Sequence, residues 1–141
     1  MLSHSQQDLS GRIAFQKHDF FTPQPVRDAA AFLLRQCLHN YNDSDSIKIL
    51  RAVVPALEQC EPGTPLLIND VVLPDSGTVT RYEENHLRQV DFCMLALLGA
   101  KQRSQRDFES LFKKADERFE IVDVHKNALG VGLLEVHLNV A

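Results

Sequence analysis

The chain has 141 residues, a length suited to one domain with one core. Hydrophobic residues make up 44% and charged residues 24%, which excludes a disordered chain, and a formal net charge of -4 without a basic cluster argues against a nucleic-acid surface. No apolar run reaches the length of a membrane span, and the amino-terminal MLSHSQQDLSGR carries no signal-peptide apolar segment, so the expectation is a cytoplasmic protein.

Residues 1–11 read as a lead-in closed by Gly11. Arg12 to Phe15, continuing through Gln16 and Lys17, reads as a first strand, closed by His18-Asp19-Phe20-Phe21. Thr22-Pro23-Gln24-Pro25 is a loop, because both prolines lack an N–H. Ala30 to Cys37 then reads as a second strand covered on both faces, and FLLRQCLHNY carries it from an apolar run to His39, Asn40 and Tyr41. Asn42 or Asp43 can cap a helix of about three to four turns, whose apolar positions Ile47, Leu50, Val53, Val54 and Leu57 fall at helical spacing. Pro55 predicts a kink or an early end to it.

Glu61-Pro62-Gly63-Thr64-Pro65 is a turn, and Leu66 to Leu73 (LLINDVVL) is the third strand. Asp70 interrupts its apolar run. A loop, Pro74 to Thr78, leads to a helix over Tyr82 to Leu98, with one stripe of Leu87, Val90, Met94, Leu97 and Leu98. Gly99 to Arg103 is a connection. Ser104 with Asp107 resembles a capping box, and Phe108, Leu111, Phe112 and Ala115 form the buried face of the helix that follows. Phe119 to Val124 and Leu133 to Val140 alternate as strands, with Gly130 and Gly132 between them, and are expected to pair antiparallel. The order β-β-α-β-α-α-β-β is that of an α/β sheet with an antiparallel edge.

In open α/β sheets ligands gather beyond the carboxyl ends of the strands. His39 and Asp70 are both expected there. Imidazole titrates near neutrality, so His39 is a candidate general base, and Asp70 a candidate to orient it. Each also has a structural reading: a histidine in a strand-to-helix turn, and an acid capping the end of its strand. On the residues alone the structural reading of His39 stands ahead. Lys101 and Gln102 come from the helix connection toward the same mouth. Cys37, Cys60 and Cys93 are odd in number and lack metal-ligand spacing, so free thiols are expected, with Cys37 and Cys93 as packing residues. GxGxxG, a P-loop, HExxH and GxSxG are all absent.

Three stretches carry a family resemblance. HDFFTPQPVRDAAAFLLRQCLHNYNDSDSIKILRAVVPAL, then LLINDVVLP, then MLALLGAKQRSQRDFESLF, in that order, resemble the C-terminal part of plant- and fungal-type S-adenosylmethionine-dependent O-methyltransferases. The fungal secondary-metabolite enzymes are the nearest in flavour, and the similarity runs from about Asp8 to Val140. The resemblance implies a class I methyltransferase (Rossmann-like) sheet of strand order 3-2-1-4-5-7-6. It implies metal-independent methyl transfer to a hydroxyl, usually a phenol, of a small secondary metabolite. His39 then stands at the base, with Asp70 and Gln102 at its two flanking acidic positions. Gln102 departs from the family's KER, so a protonated His39 loses one charge partner. Asp19, Phe20 and Arg35 match cofactor-binding positions. Asn40, where the family usually has Asp, and Met94 match substrate-side positions.

The resemblance further implies that residues 1–141 form a single incomplete catalytic domain. Its strands correspond to 3, 4, 5, 6 and 7. The first two strands, with their Gly-rich cofactor loop, and the N-terminal helical dimerisation domain have no counterpart. The sheet is then expected to have a gap between its first and second strands, open to a partner chain that supplies the missing part. Two other expectations are open. One is a non-catalytic remnant or interaction module that pairs with a full-length methyltransferase. The other is elimination or rearrangement chemistry in the same pocket.

Overall fold

The computed structural model describes residues 11–126 and 131–139. Its framework is a βαβ unit. Strand β1 (Phe32–Arg35) lies parallel to β2 (Leu66–Leu73), with Phe32 opposite Leu66 and Arg35 opposite Asn69. Helix α1 (Asp43–Leu57) joins them. Asn42 caps α1 by accepting a hydrogen bond from the Asp45 N–H, and Asp43 and Asp45 add negative charge to the first turn. Pro55 does not kink it: the residue falls in the last turn, and the helix runs on to Leu57.

Beyond β2 the sheet turns antiparallel. Strand β5 (Val131–Leu138) pairs with β2, and β4 (Phe119–Lys126) pairs with β5, giving the order β1-β2-β5-β4. This matches the 4-5-7-6 end of the order implied by the resemblance. The two-residue strand β3 (Arg103–Ser104) pairs parallel with Val72 and Leu73 and was not foreseen in the sequence.

One face of the sheet carries the core. Leu66, Ile68 and Val72 alternate inward along β2, as do Leu134, Val136 and Leu138 along β5. They meet α1 and α3 (Gln105–Ala115), whose Phe108, Leu111, Phe112 and Ala115 are buried as expected. The Ser104–Asp107 capping box forms in both directions.

Several expectations change. Arg12 to Lys17 is not a strand. It pairs with no strand of the sheet, and its side chains are exposed, Phe15 almost completely. The second strand is shorter than Ala30 to Cys37, because Gln36 adopts a left-handed backbone (φ 47) and turns the chain out of the sheet. It is not covered on both faces: Leu33 and Arg35 are exposed. Helix α2 (Arg81–Leu98) begins on a Thr80–Glu83 capping box and ends at left-handed Gly99. Of its apolar stripe only Leu87 is buried, while Leu97 is 77% exposed. Cys93 lies on this open helix and is exposed, not packed. All three cysteines are free. Gly132 lies inside β5, whereas Gly130 and Val140 fall outside the described residues. Among the described residues no helix is long and apolar enough to cross a membrane.

Gly132 is a close-approach position: a Cβ there would come within 2.6 Å of Val72 Cγ2, on a β-branched side chain that is itself buried. Gly132→Ala should therefore lower stability by about 1–3 kcal/mol, the range for overpacking. Urea unfolding of the two proteins measures it.

Candidate active site

The site forms where β1 ends. Gln36 gives its N–H to Asn69 O (2.7 Å) on β2, and its left-handed backbone directs the chain into a single 3-10 turn, Leu38–Asn40. Leu38 is fully buried and anchors the turn, which leaves His39 at the mouth of the sheet. The Asn40 side chain donates back to Gln36 O (3.2 Å), closing the turn on itself.

Asp70 occupies an inward position of β2, between Ile68 and Val72, where an apolar residue would otherwise pack. Its side chain is 1% exposed, against 18% for His39. The carboxylate accepts three N–H groups: His39 Nδ1 on Oδ1 (2.6 Å), the His39 amide on Oδ2 (3.1 Å), and the Val71 amide on Oδ1 (2.9 Å). A carboxylate only accepts, so Nδ1 carries the hydrogen. In the neutral ring Nε2 then holds the lone pair and can take a proton. The two residues expected to meet from opposite strands do meet.

Arg103 is the residue that sequence reasoning passed over, as part of a connection. Its side chain is 1% exposed. The guanidinium donates to Leu38 O (2.9 Å) and Tyr41 O (3.0 Å), to Asp43 Oδ1 through Nε (3.1 Å) and Nη2 (2.8 Å), and to Ser46 Oγ (3.2 Å). Burial by itself pushes the Asp43 carboxyl up, but hydrogen bonds from Arg103 and Lys101 outweigh it and hold the group below its ordinary value. Nothing in the local sequence marks Arg103, since its partners lie 57 to 65 positions away.

The other candidates spread around this centre. Phe20 and Phe21 pack edge-on against Tyr41, with ring centroids 5.7 and 5.6 Å away, and Asp19 Oδ1 holds their turn through the Phe21 N–H. This brings Asp19 and Phe20 to the rim of the His39 turn, with both phenylalanine rings partly exposed. Arg35 is exposed at the end of β1, and Met94 is half-buried on α2. Gln102 is buried, and its backbone N–H donates to Asp91 Oδ1 on α2 (2.7 Å). Its Oε1 has no hydrogen-bond partner among the described residues, and no hydrogen bond joins it to His39. A groove of about 530 Å³, lined by Arg27, Cys60 and Pro65 among others, lies at the opposite end of the parallel strands, away from His39.

With this geometry in place, comparison with known proteins is decisive about kinship. A family model described as an O-methyltransferase domain matches residues 2–117. The chain belongs to the O-methyltransferase family. It is similar to O-methyltransferase sol2 of Alternaria solani, with 55% identity over 133 residues that cover 94% of this chain and 31% of that protein. It is also similar to chlorophenol O-methyltransferase of Trichoderma longibrachiatum, 37% identical over 84% of this chain and 25% of that protein. Among solved structures, LepI in complex with SAM superposes with a TM-score of 0.74 at 28% identity, over 86% of this chain and 29% of that chain. This O-methyltransferase-family chain thus spans about a third of the length of the first curated relatives it matches. Its open mixed sheet matches part of the LepI structure.

Two outcomes are expected here. The stability contributed by Asp43, whose folded value is depressed, is present above about pH 4, the ordinary carboxylate range. It is lost as pH falls through the lower folded value, so Asp43→Asn should flatten the acid limb of stability measured by urea unfolding at stepped pH. Burial, with the Asp70 charge nearby, pushes the Cys37 thiol up, whereas Cys93 is exposed. A thiol reagent at neutral pH should therefore label Cys93 first and Cys37 slowly, which mass spectrometry of the labelled peptides resolves.

Proposed function

We propose that this chain carries the base-bearing part of an S-adenosylmethionine-dependent O-methyltransferase acting on a hydroxyl, best sought among phenols of small secondary metabolites. The observation that carries the reading is the His39–Asp70 pair at the carboxyl end of β1 and β2, with Nδ1 held and Nε2 left open.

S-adenosylmethionine, when bound, supplies a methyl group on a positively charged sulfur. His39 Nε2 would take the proton from the acceptor hydroxyl, whose oxygen would gain the methyl group as the methyl carbon–sulfur bond breaks and leaves a neutral thioether. Asp70 keeps the ring in one tautomer and faces the imidazolium that results. The residues at the rim fit a flat aromatic cofactor group: the partly exposed Phe20 and Phe21 rings, braced on Tyr41, offer a stacking surface beside the turn. Asp19, which holds the turn of these rings, and Arg35, exposed at the end of β1, are assigned to the cofactor side as well. On the acceptor side Met94 is assigned to the ring of the acceptor. Gln102 is assigned a polar contact through its unpartnered Oε1. Asn40 is assigned to the turn that holds His39, since its Nδ2 is bonded to Gln36 O. The remaining cofactor contacts are assigned to a part corresponding to the rest of the relatives' length, in the same polypeptide or another.

A second reading has one observation behind it. A solved structure described as a pericyclic reaction enzyme is 28% identical to this chain with a TM-score of 0.74. An imidazole held by a carboxylate can also assist a rearrangement without methyl transfer. The 55% identity to an O-methyltransferase ranks methyl transfer first.

Calorimetric titration with S-adenosylhomocysteine tests the cofactor half of the proposal, on the chain alone and with the N-terminal portion of a relative added. Saturable binding in the second mixture is expected. In an assembly that turns over, His39→Gln should lower kcat by about 10²–10⁴-fold, the usual contribution of a general base. Retention of kcat within a few-fold would remove His39 from the chemistry.

A further inference from the structure

We infer that Arg103 is a positioning residue, which clamps the carbonyl side of the turn carrying His39 while Asp70 clamps its amide side.

The turn needs such a clamp. It is a single 3-10 turn, Leu38–Asn40, entered through a strained residue, Gln36. Short 3-10 turns have poor hydrogen-bond geometry of their own. A left-handed backbone at a residue other than glycine persists only where its surroundings impose it. Gln36 itself is tied to Asn69 O and the Asn40 side chain, and two charged side chains hold the turn beyond it from two sides. Asp70 accepts the His39 amide (3.1 Å) and the ring Nδ1 (2.6 Å). Arg103 donates to the carbonyl before His39, Leu38 O (2.9 Å), and to Tyr41 O just beyond the turn (3.0 Å).

The two clamps are registered by the sheet. Arg103 on β3 sits opposite Val72 on β2, two residues beyond Asp70 and on the same face as Asp70 by strand alternation. The guanidinium is aimed in turn from α1, by Asp43 (2.8 Å) and Ser46 (3.2 Å). Its planar fork is what spans these partners. A lysine has the charge and three N–H donors, but all on one nitrogen, so it cannot reach at once the acceptors that Nε, Nη1 and Nη2 meet separately. A residue that only glued α1 to α3 would not need to meet the carbonyls on both sides of the His39–Asn40 pair.

The inference rests on the reading of His39 as base, but its test does not need turnover. The nitrogen-15-labelled 141-residue chain is examined by NMR for the His39 ring nitrogens and for hydrogen exchange of the His39 amide. The unaltered protein should show the Nδ1–H tautomer and a protected amide. Arg103→Met should move the ring signals toward a mixture of tautomers. It should also cut the amide's protection by roughly tenfold or more, while amides of Ile68 and Val136 in the core strands keep theirs. Arg103→Lys should fall between. Asp43→Asn keeps the guanidinium but removes the carboxylate that aims it, so it should shift the same signals by less.

Unchanged His39 signals in folded Arg103→Met overturn the inference. If that variant does not fold, unchanged signals in both Arg103→Lys and Asp43→Asn overturn it. In an assembly that transfers methyl groups, Arg103→Lys should lower kcat by about tenfold or more with KM for the cofactor little changed, as for a misplaced catalytic group. If His39→Gln leaves kcat intact there, the base reading fails, and the spectra still decide the clamp.

Discussion

A buried guanidinium ties the site to the fold. Arg103 has given up nearly all contact with water, which for an ion costs several kcal/mol even after relaxation of its surroundings. Partial repayment comes from Asp43, whose own side chain is 43% exposed. The rest comes from the Leu38 and Tyr41 carbonyls and the Ser46 hydroxyl, polar groups that lie beside a core of leucines and valines. The interaction is therefore mutual. Arg103 is tolerable only where the turn offers carbonyls, and it adds a charged donor to carbonyls that otherwise rely on the Tyr41 N–H and the Ser46 hydroxyl. β3, α1 and the end of β1 are joined through it.

The same logic explains Asp70. A carboxylate at an inward position of a central strand would be prohibitive without donors. It has three N–H donors, two of them from His39. Among the described residues, the group paired with its charge is the His39 ring. The dependence runs both ways: the acid that holds the imidazole is itself made tolerable by that imidazole and its amide.

The packing is one-sided. The core lies between one sheet face and α1 with α3, while Leu33 on β1 and Phe92, Leu95 and Leu97 on α2 remain exposed. β1 forms the outer end of the sheet order. These features agree with a chain that matches under a third of LepI and a third or less of its first curated relatives. They also explain why Arg12 to Lys17 and the α2 stripe misled the sequence reading. Their apolar pattern is real, but a pattern shows only that a residue can be buried, and burial needs a surface to meet.

Local physics made much of this protein legible in its sequence. An apolar run after a turn placed β2, and period-two alternation placed β4 and β5. Helical spacing with capping residues placed α1 and α3, because Asn42 and Ser104 bond within three residues of themselves. The three matching stretches indicated the family and drew attention to His39 and Asp70. Only the tertiary structure could decide what those residues do to one another. The Asp70 carboxylate meets a ring 31 positions away, and Arg103 meets carbonyls more than 60 positions away. Gln102, beside it, is buried with an unpartnered oxygen instead. The place of Arg103 follows from how β3 docks on β2, a long-range pairing that no local pattern encodes.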